Sequence, residues 1–264
     1  MLKLLVLGIA LGLSINNYAQ NDSNDCYMNF FKRTEKHGDP RKIMLLYGGK
    51  HNRTLQFLYD NNRSEIGNYA KAGFIDLDKD GYKELIVYFY SGGAHCCDVY
   101  DIFSQVKPGQ YKLMAATWGG EACFNENNLL EYSFYEHYGY FYTCFACELE
   151  DSSDSAPIPV RTVQLTYNKG KLSVLPGDAV LKATIKDNLR KLSEHPYQEL
   201  AEGEFDDGLR KEFALNLIVY YYSFGKNLPE TEKLFNTYYK FPDAKKIWYS
   251  FLGYLNDIKK ENSF

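Results

Sequence analysis

An acidic run between two apolar segments is the part of this 264-residue sequence whose residue types and spacing best suit chemistry. In chain order, its acidic residues and its glycine are Asp76, Asp78, Asp80, Gly81 and Glu84. Alternate residues of a tight loop can direct their side chains at one point, and Gly81 permits the backbone turn that this requires. Ca²⁺ is a hard cation that takes about six to eight oxygen ligands, several of them from carboxylates. The spacing therefore predicts a Ca²⁺ site; the alternative is a solvated hairpin rich in side-chain turns.

The segments that flank this loop indicate strands on both sides. Residues 85–90 form an apolar run, and Gly-Phe-Ile precedes the loop at 73–75. An EF-hand lies between helices and would end on a Glu at the position of Val87, so it does not fit. The arrangement instead resembles the calcium loops of FG-GAP or VCBS repeats, found in integrin-type β-propellers, whose pattern is Asp-x-Asp-x-Asp-Gly-x-x-Asp. Here Glu84 stands for the last Asp, which lengthens the side chain and keeps its charge.

This resemblance implies a ligand set. The ligands would be the main-chain carbonyl of Tyr82 and the side chains of Asp76, Asp78, Asp80 and Glu84. The next segment, residues 91–97, resembles one that exported bacterial proteins carry after the same acidic loop, which implies an architecture and no activity. His95 in that segment is a candidate functional residue, and its other interpretation is a hydrogen-bonded surface residue.

Residues 1–19 are typical of a secretory signal peptide. Lys3 supplies a short positive start, residues 4–13 form an apolar core, and Ala19 places a small residue before a predicted cut at Gln20. The core is too short for a membrane span, which needs roughly 20 apolar residues, and no later run reaches that length. We therefore expect a mature chain of residues 20–264 that is periplasmic or secreted and has no membrane span.

Six cysteines follow the predicted cut: Cys26, Cys96, Cys97, Cys123, Cys144 and Cys147. An even number of cysteines in an exported protein favours structural disulfides. Cys144 and Cys147 could close a small local loop, or one of them could bond to Cys123. A zinc site formed by His95, Cys96 and Cys97 together with Cys144 and Cys147 is one alternative. A redox centre at Cys144-x-x-Cys147 is a weaker one, because such motifs open a helix beside a parallel sheet and residues 141–145 read as a strand.

Short segments rich in Tyr, Val, Ile and Phe, separated by Gly, Asn, Asp and Pro, predict a β meander over residues 41–176. The predicted strands are 43–47, 54–59, 69–75, 84–90, 99–105, 111–117, 129–135, 140–145, 160–167 and 171–175. A tight hairpin turn is predicted at 168–170.

Beyond Gly177 the apolar residues recur at helical spacing, which predicts about four helices. The first two are amphipathic, with apolar residues from Leu181 to Leu192 and from Leu209 to Phe224. The expected fold is α+β: an antiparallel meander, open or propeller-like, followed by this helical region. The expected organisation is a signal peptide at 1–19, a β-rich domain with the calcium loop at 20–177, and an α-helical region at 178–264.

The charge of the chain and the absence of known catalytic motifs reduce the number of function classes that fit the sequence. The net charge is -4, so there is no basic surplus to favour nucleic acid as a partner. The five histidines form no His-Glu-x-x-His motif, and no Gly-x-Ser-x-Gly elbow or phosphate loop occurs. Glu121, Glu136 and His137 are acid–base residue types outside any motif. The sequence thus leaves catalysis open and favours a non-catalytic protein.

The leading interpretation is an exported, disulfide-stabilised calcium-binding protein that acts as a non-catalytic binding module for a protein or glycan. Aromatic residues, at 16% of the chain, suit such an interface. A second interpretation, which fits the compartment and the acidic charge, is a periplasmic inhibitor or immunity protein against a secreted toxin. A third is a metal-dependent hydrolase of a cell-surface polymer, with His95 and Glu121 at its site.

Overall fold

The computed structural model describes residues 29–34, 70–90, 98–107, 110–149, 156–201 and 203–264. These contain a seven-stranded sheet in which the strands follow sequence order and every neighbouring pair is antiparallel. The strands are β1 Ala70–Ile75, β2 Glu84–Tyr90, β3 Asp98–Lys107, β4 Gln110–Phe124, β5 Leu130–Ser133, β6 Thr162–Asn168 and β7 Lys171–Val174. The sheet is open, and the predicted antiparallel meander is confirmed. The predicted strands 43–47 and 54–59 lie outside the described residues.

Side chains alternate between the two faces of the sheet, as the geometry of a strand requires. In β2, Ile86 and Tyr88 belong to the main hydrophobic core. Leu85 and Val87, which point the other way, join a smaller apolar cluster with Phe103 of β3. The sheet therefore buries apolar side chains on both faces at this point, which explains the continuous apolar run in β2.

Four helices of the described chain follow the sheet, and a short one lies between β5 and β6. They are α1 Tyr135–Tyr138, α2 Ala179–Glu194, α3 Leu209–Ser223, α4 Leu228–Tyr238 and α5 Ala244–Glu261, and residues 29–33 are also helical. The four helices α2 to α5 confirm the predicted C-terminal helical region. Side-chain caps fix two of their starts: the Asp178 carboxylate accepts from Leu181 N–H at 2.7 Å, and the Asn227 side chain accepts from Glu230 N–H at 3.1 Å.

Helix α3 lies at the centre of the helical layer. Every residue of α3 is buried, and the helix contacts α1, α2, α4, α5 and β6. The sequence predicts an amphipathic helix here, but neighbours cover α3 on all sides. One hydrophobic cluster runs from sheet residues such as Tyr100 and Ile102 to Phe213 and Leu217 of α3, so sheet and helices share a core.

The strand predicted at 140–145 is wrong. Residues 139–146 form turns and bends after α1. Tyr142 has a left-handed backbone, with φ +60°, which a strand does not allow. Phe141 is buried with its ring 5.2 Å from that of Tyr254. The aromatic residues that suggested a strand serve instead to anchor a compact turn against α5.

Strand β4 runs past the predicted end at residue 117 because of two glycines. A Cβ atom on Gly119 would lie 2.4 Å from the His137 ring, and one on Gly120 would lie 2.4 Å from the Ser133 carbonyl oxygen. Only glycine leaves room for these approaches. These two glycines therefore let β4 continue to Phe124.

Candidate metal centre

The acidic loop connects two paired strands at one end of the sheet. Ile75 at the end of β1 pairs with Glu84 at the start of β2, so residues 76–83 form the connection between them. The loop closes on its own side chains: the two carboxylate oxygens of Asp76 accept from Asp80 N–H at 3.1 Å and Gly81 N–H at 3.0 Å. Gly81 has φ +92°, the conformation that the sequence pattern requires of it.

Three of the predicted ligand side chains come together in this loop. Asp76, Asp78 and Glu84 each place a carboxylate oxygen within 4.8 Å of the others. Asp80 is outside this group, and its Oδ1 accepts from Tyr82 N–H at 2.8 Å. The side chain of Tyr82 is 63% exposed. The geometry thus centres the candidate site on Asp76, Asp78 and Glu84.

Glu84 is the buried member of the group, with 3% of its surface exposed. Burial, reinforced by repulsion from Asp78 and Asp80, raises the pKa of Glu84 to about 7, although a hydrogen bond from Leu77 N–H to Oε2 at 3.0 Å opposes the rise. A carboxyl group in this environment needs a proton or a cation to offset the loss of solvation.

Asp78 connects the loop to the far end of the sheet. Its Oδ2 accepts from the main-chain N–H of Lys169 at 2.7 Å. Lys169 belongs to the turn between β6 and β7, where Asn168 pairs with Lys171 as the predicted hairpin requires. The other oxygen of Asp78, Oδ1, is buried and accepts no hydrogen bond within the described chain. Sequence spacing gives no signal for this contact, because it depends on the curvature of the whole sheet.

The charges of this group are all of one sign. No described lysine or arginine forms an ion pair with Asp76, Asp78 or Glu84. Two ionised carboxylates about 5 Å apart repel by on the order of 3 kcal/mol at an effective dielectric constant of roughly 20. Oxygen ligands, negative charge and a buried unbonded oxygen are what a hard divalent cation requires.

The acid–base residues singled out in the sequence lie elsewhere. His137 is mostly buried, its Nε2 is 2.6 Å from the Tyr132 hydroxyl, and burial lowers its pKa to about 4. Burial, followed by repulsion from Glu121 and Asp98, raises the pKa of Glu136 to about 7. His95, which the hydrolase interpretation needs beside Glu121, lies outside the described residues.

Cys144 and Cys147 form a disulfide with a Cα–Cα distance of 5.0 Å, the local loop that is one of the two predicted arrangements. Cys123 is disulfide-bonded as well. Cys26, Cys96 and Cys97 lie outside the described residues. The zinc alternative loses two thiolate ligands to the first of these bonds, since a metal binds the thiolate form of cysteine.

No protein-family model, curated protein or solved structure matches this chain. In the part of the chain that the structure describes, no helix combines the length and the hydropathy that crossing a membrane requires. A functional assignment therefore depends on the chemistry of the sites themselves.

Proposed function

We propose that this chain is an exported, disulfide-stabilised calcium-binding protein that acts as a non-catalytic binding module for a protein or glycan partner. The calcium assignment is carried by the meeting of Asp76, Asp78 and Glu84 within 4.8 Å. The Asp80 side chain, the Tyr82 carbonyl and water would complete the coordination, in line with the number of oxygens that Ca²⁺ takes.

The proposed role of the ion is structural. Ca²⁺ would neutralise the repulsion between the three carboxylates and hold the β1–β2 loop in one conformation. Through Asp78, which accepts from Lys169 N–H, it would also order the turn between β6 and β7. A ligand that binds the folded state alone stabilises that state by mass action.

Exposed aromatic side chains support the binding role. Tyr82, Tyr140 and Tyr249 are 63%, 61% and 63% exposed. Tyrosine at this exposure offers an apolar ring and a polar hydroxyl at little cost in side-chain entropy, which suits protein and glycan interfaces. Export is supported by the signal-like residues 1–19 and by two disulfide-bonded sites, because disulfides persist in oxidising compartments.

A calcium titration of the chain from residue 20 onward tests the assignment. We expect heat of binding by calorimetry and a rise in Tm of about 5–10 °C at a Ca²⁺ concentration of about 100 Kd. The Asp78→Asn variant should lose both responses while it keeps the apo Tm within a few degrees. Asp257→Asn, an exposed acid paired with Lys260 on α5, is the matched control and should respond as the parent does.

Two results would overturn this proposal. A chain without heat of binding or Tm change at millimolar Ca²⁺ binds no calcium, and an Asp78→Asn variant that responds like the parent has its site elsewhere. Export is tested separately by expressing the full chain in a bacterium and measuring the intact mass of the periplasmic product. A mass that begins at Gln20 supports export, and retention of residues 1–19 in the cytoplasm contradicts it.

A further inference from the structure

The disulfide between Cys144 and Cys147 encloses the smallest loop that the cysteines of the described chain could form. Phe145 and Ala146 alone lie between them, and Ala146 is exposed while both cysteines are half-buried. A disulfide stabilises mainly by restricting the unfolded chain, and this effect is least for a short loop. The bond therefore adds little to the stability of the fold, and a reagent in solution can reach it.

Contacts other than the disulfide hold this loop in shape. Cys147 N–H donates to the Cys144 carbonyl at 3.1 Å, and the Tyr135 hydroxyl donates to the Phe145 carbonyl at 2.9 Å. The Thr143 hydroxyl donates to the Asp206 carbonyl at 2.8 Å. The Phe145 ring packs edge-on against Tyr135 at 5.7 Å. These contacts need no S–S bond, so the two sulfur atoms would remain neighbours after reduction.

A buried cation lies directly beneath the loop. Lys211 of α3 is 0% exposed, and its ammonium donates to the carbonyls of Phe145 at 3.1 Å and Cys144 at 3.5 Å. The neighbouring carboxylates of Glu148 and Glu212 both bond to Arg161, at 2.8 and 3.1 Å. Lys211 is thus a buried cation that bonds to the main chain of the loop, while Arg161 pairs with the two carboxylates. A cation beside a cysteine favours the thiolate and so the reduced state.

We propose that Cys144 and Cys147 are a redox-active pair that exchanges electrons with dithiols, a function separate from that of the acidic loop. A thiolate of the dithiol attacks Cys147 Sγ, which forms a mixed disulfide and releases Cys144 as a thiolate near Lys211. The second thiol of the donor loses its proton and attacks its own sulfur in the mixed disulfide, which releases Cys147. Two electrons and one proton pass from the donor to the cysteine pair; the proton ends on Cys147, Cys144 stays a thiolate, and the donor becomes a disulfide.

Equilibration with mixtures of reduced and oxidised dithiothreitol tests the proposal, with alkylation and peptide mass mapping as the readout. We expect half-reduction of Cys144–Cys147 at a reduced-to-oxidised ratio at least ten times lower than Cys123 requires. The near-UV circular dichroism should be retained, and Tm should fall by about 5 °C. Reduction of both disulfides together with loss of the near-UV signal would overturn the proposal, as would a pair that stays oxidised after Cys123 is reduced.

The Lys211→Met variant tests the role of the cation, since methionine keeps the buried apolar stem and removes the charge. We expect the ratio for half-reduction to rise about tenfold, because the released thiolate is less stabilised. Lys260→Met, an exposed lysine paired with Asp257, should leave the ratio unchanged. An unchanged ratio in Lys211→Met overturns the role of Lys211 as a positioning residue.

A double variant keeps the proposal testable if Lys211→Met does not fold. Cys144→Ser with Cys147→Ser removes the bond and retains two small polar side chains. We expect this variant to fold with a Tm within about 5 °C of the parent. A variant that is unfolded at room temperature would show that the bond is a structural staple, which overturns the redox assignment.

Discussion

At the start of α3, buried side chains of opposite charge pair with one another. In the acidic loop between β1 and β2, the clustered charges are all negative. Arg210, 1% exposed, bonds to Asp206 at 3.0 Å and to Asp243 at 2.7 Å. In the loop, Asp78 and Glu84 lie close together, and no ion pair with a described residue compensates them.

The charges at α3 hold parts of the fold together, whereas the stability of the acidic loop depends on the protons and cations in the solution. A buried ion pair with all its hydrogen bonds made fixes one arrangement of the elements it joins, here the start of α3 and the start of α5. A group of like charges is stable only when a proton or a cation arrives. We therefore expect mutations at α3 to change stability under all conditions and mutations in the loop to change the response to ions.

The largest effect should come from Asp206→Ala. The change leaves the Arg210 guanidinium buried with one partner fewer, and it removes the acceptor of the Gly208 and Arg210 N–H groups. We expect a loss of about 3–5 kcal/mol in the free energy of unfolding, measured by urea denaturation. The control is Asp187→Ala, an exposed partner of Arg190 on α2, which should show no measurable change. A loss below about 1 kcal/mol would place the α3 charges with ordinary surface ion pairs.

His137 offers a third case, a buried group that stays neutral. Its pKa is lowered from 6.5 to about 4 by burial, so the unfolded chain binds a proton more readily than the folded one. Stability from this group is complete above about pH 6.5 and falls as the pH drops toward 4, by about 3 kcal/mol in all.

A comparison of the parent with His137→Gln isolates this titration. The stability advantage of the parent at pH 7 should shrink by about 3 kcal/mol at pH 4, as measured by urea denaturation at both values. The neighbouring Glu136, whose pKa is raised to about 7, gains stability as the pH falls, but it is present in both proteins and cancels. A constant difference between the two proteins would contradict the buried neutral state of His137.

A network without charge should show a smaller effect than the α3 network. Asn188 is 1% exposed; its side chain accepts from Ile158 N–H at 3.0 Å and donates to Asn216 Oδ1 at 3.0 Å. Asn188→Leu leaves the buried Asn216 amide oxygen without its donor and releases the Ile158 main chain, and it should cost about 2 kcal/mol in thermal or urea unfolding. Thr184→Ala, on an exposed part of the same helix, is the control. Equal losses in both variants would contradict the importance of this network.

The smallest expected effect concerns Asp80. Its carboxylate lies outside the group of three and accepts from Tyr82 N–H, a contact that asparagine can also make. Asp80→Asn should therefore weaken calcium binding by less than about tenfold by calorimetry, whereas Asp78→Asn should abolish it. Similar losses in the two variants would show that the charge of Asp80 contributes as much to calcium binding as that of Asp78, as the FG-GAP pattern implies.

Local pattern was enough to predict much of the fold. Strand β2 has the predicted bounds because successive residues such as Leu85 and Ile86 pack on opposite faces and both faces bury apolar side chains. The turn around Tyr142 cannot be predicted from the sequence, since aromatic residues suit any half-buried surface and a tyrosine gives no sign of the positive φ that residue 142 adopts.

For the candidate site, too, the sequence predicts some features and not others. The spacing of Asp76, Asp78 and Glu84 predicts that they meet, but the contact between Asp78 and Lys169 depends on how seven strands curve. The burial of Lys211 also has no local signal, because a charged residue beside apolar ones is typical of a solvated helix face. Only packing from several elements shows that this ammonium lies under the loop that Cys144 and Cys147 enclose.

The bond between Asp78 and Lys169 also has a consequence for folding kinetics. Each strand pairs with its neighbour in sequence, so the sheet can form hairpin by hairpin through contacts of low sequence separation, which is the faster route. The Asp78–Lys169 bond joins residues 91 positions apart. Because the intervening strands must be in place first, we expect it to form late in the assembly of the sheet. An ion bound there would slow unfolding more than it speeds folding.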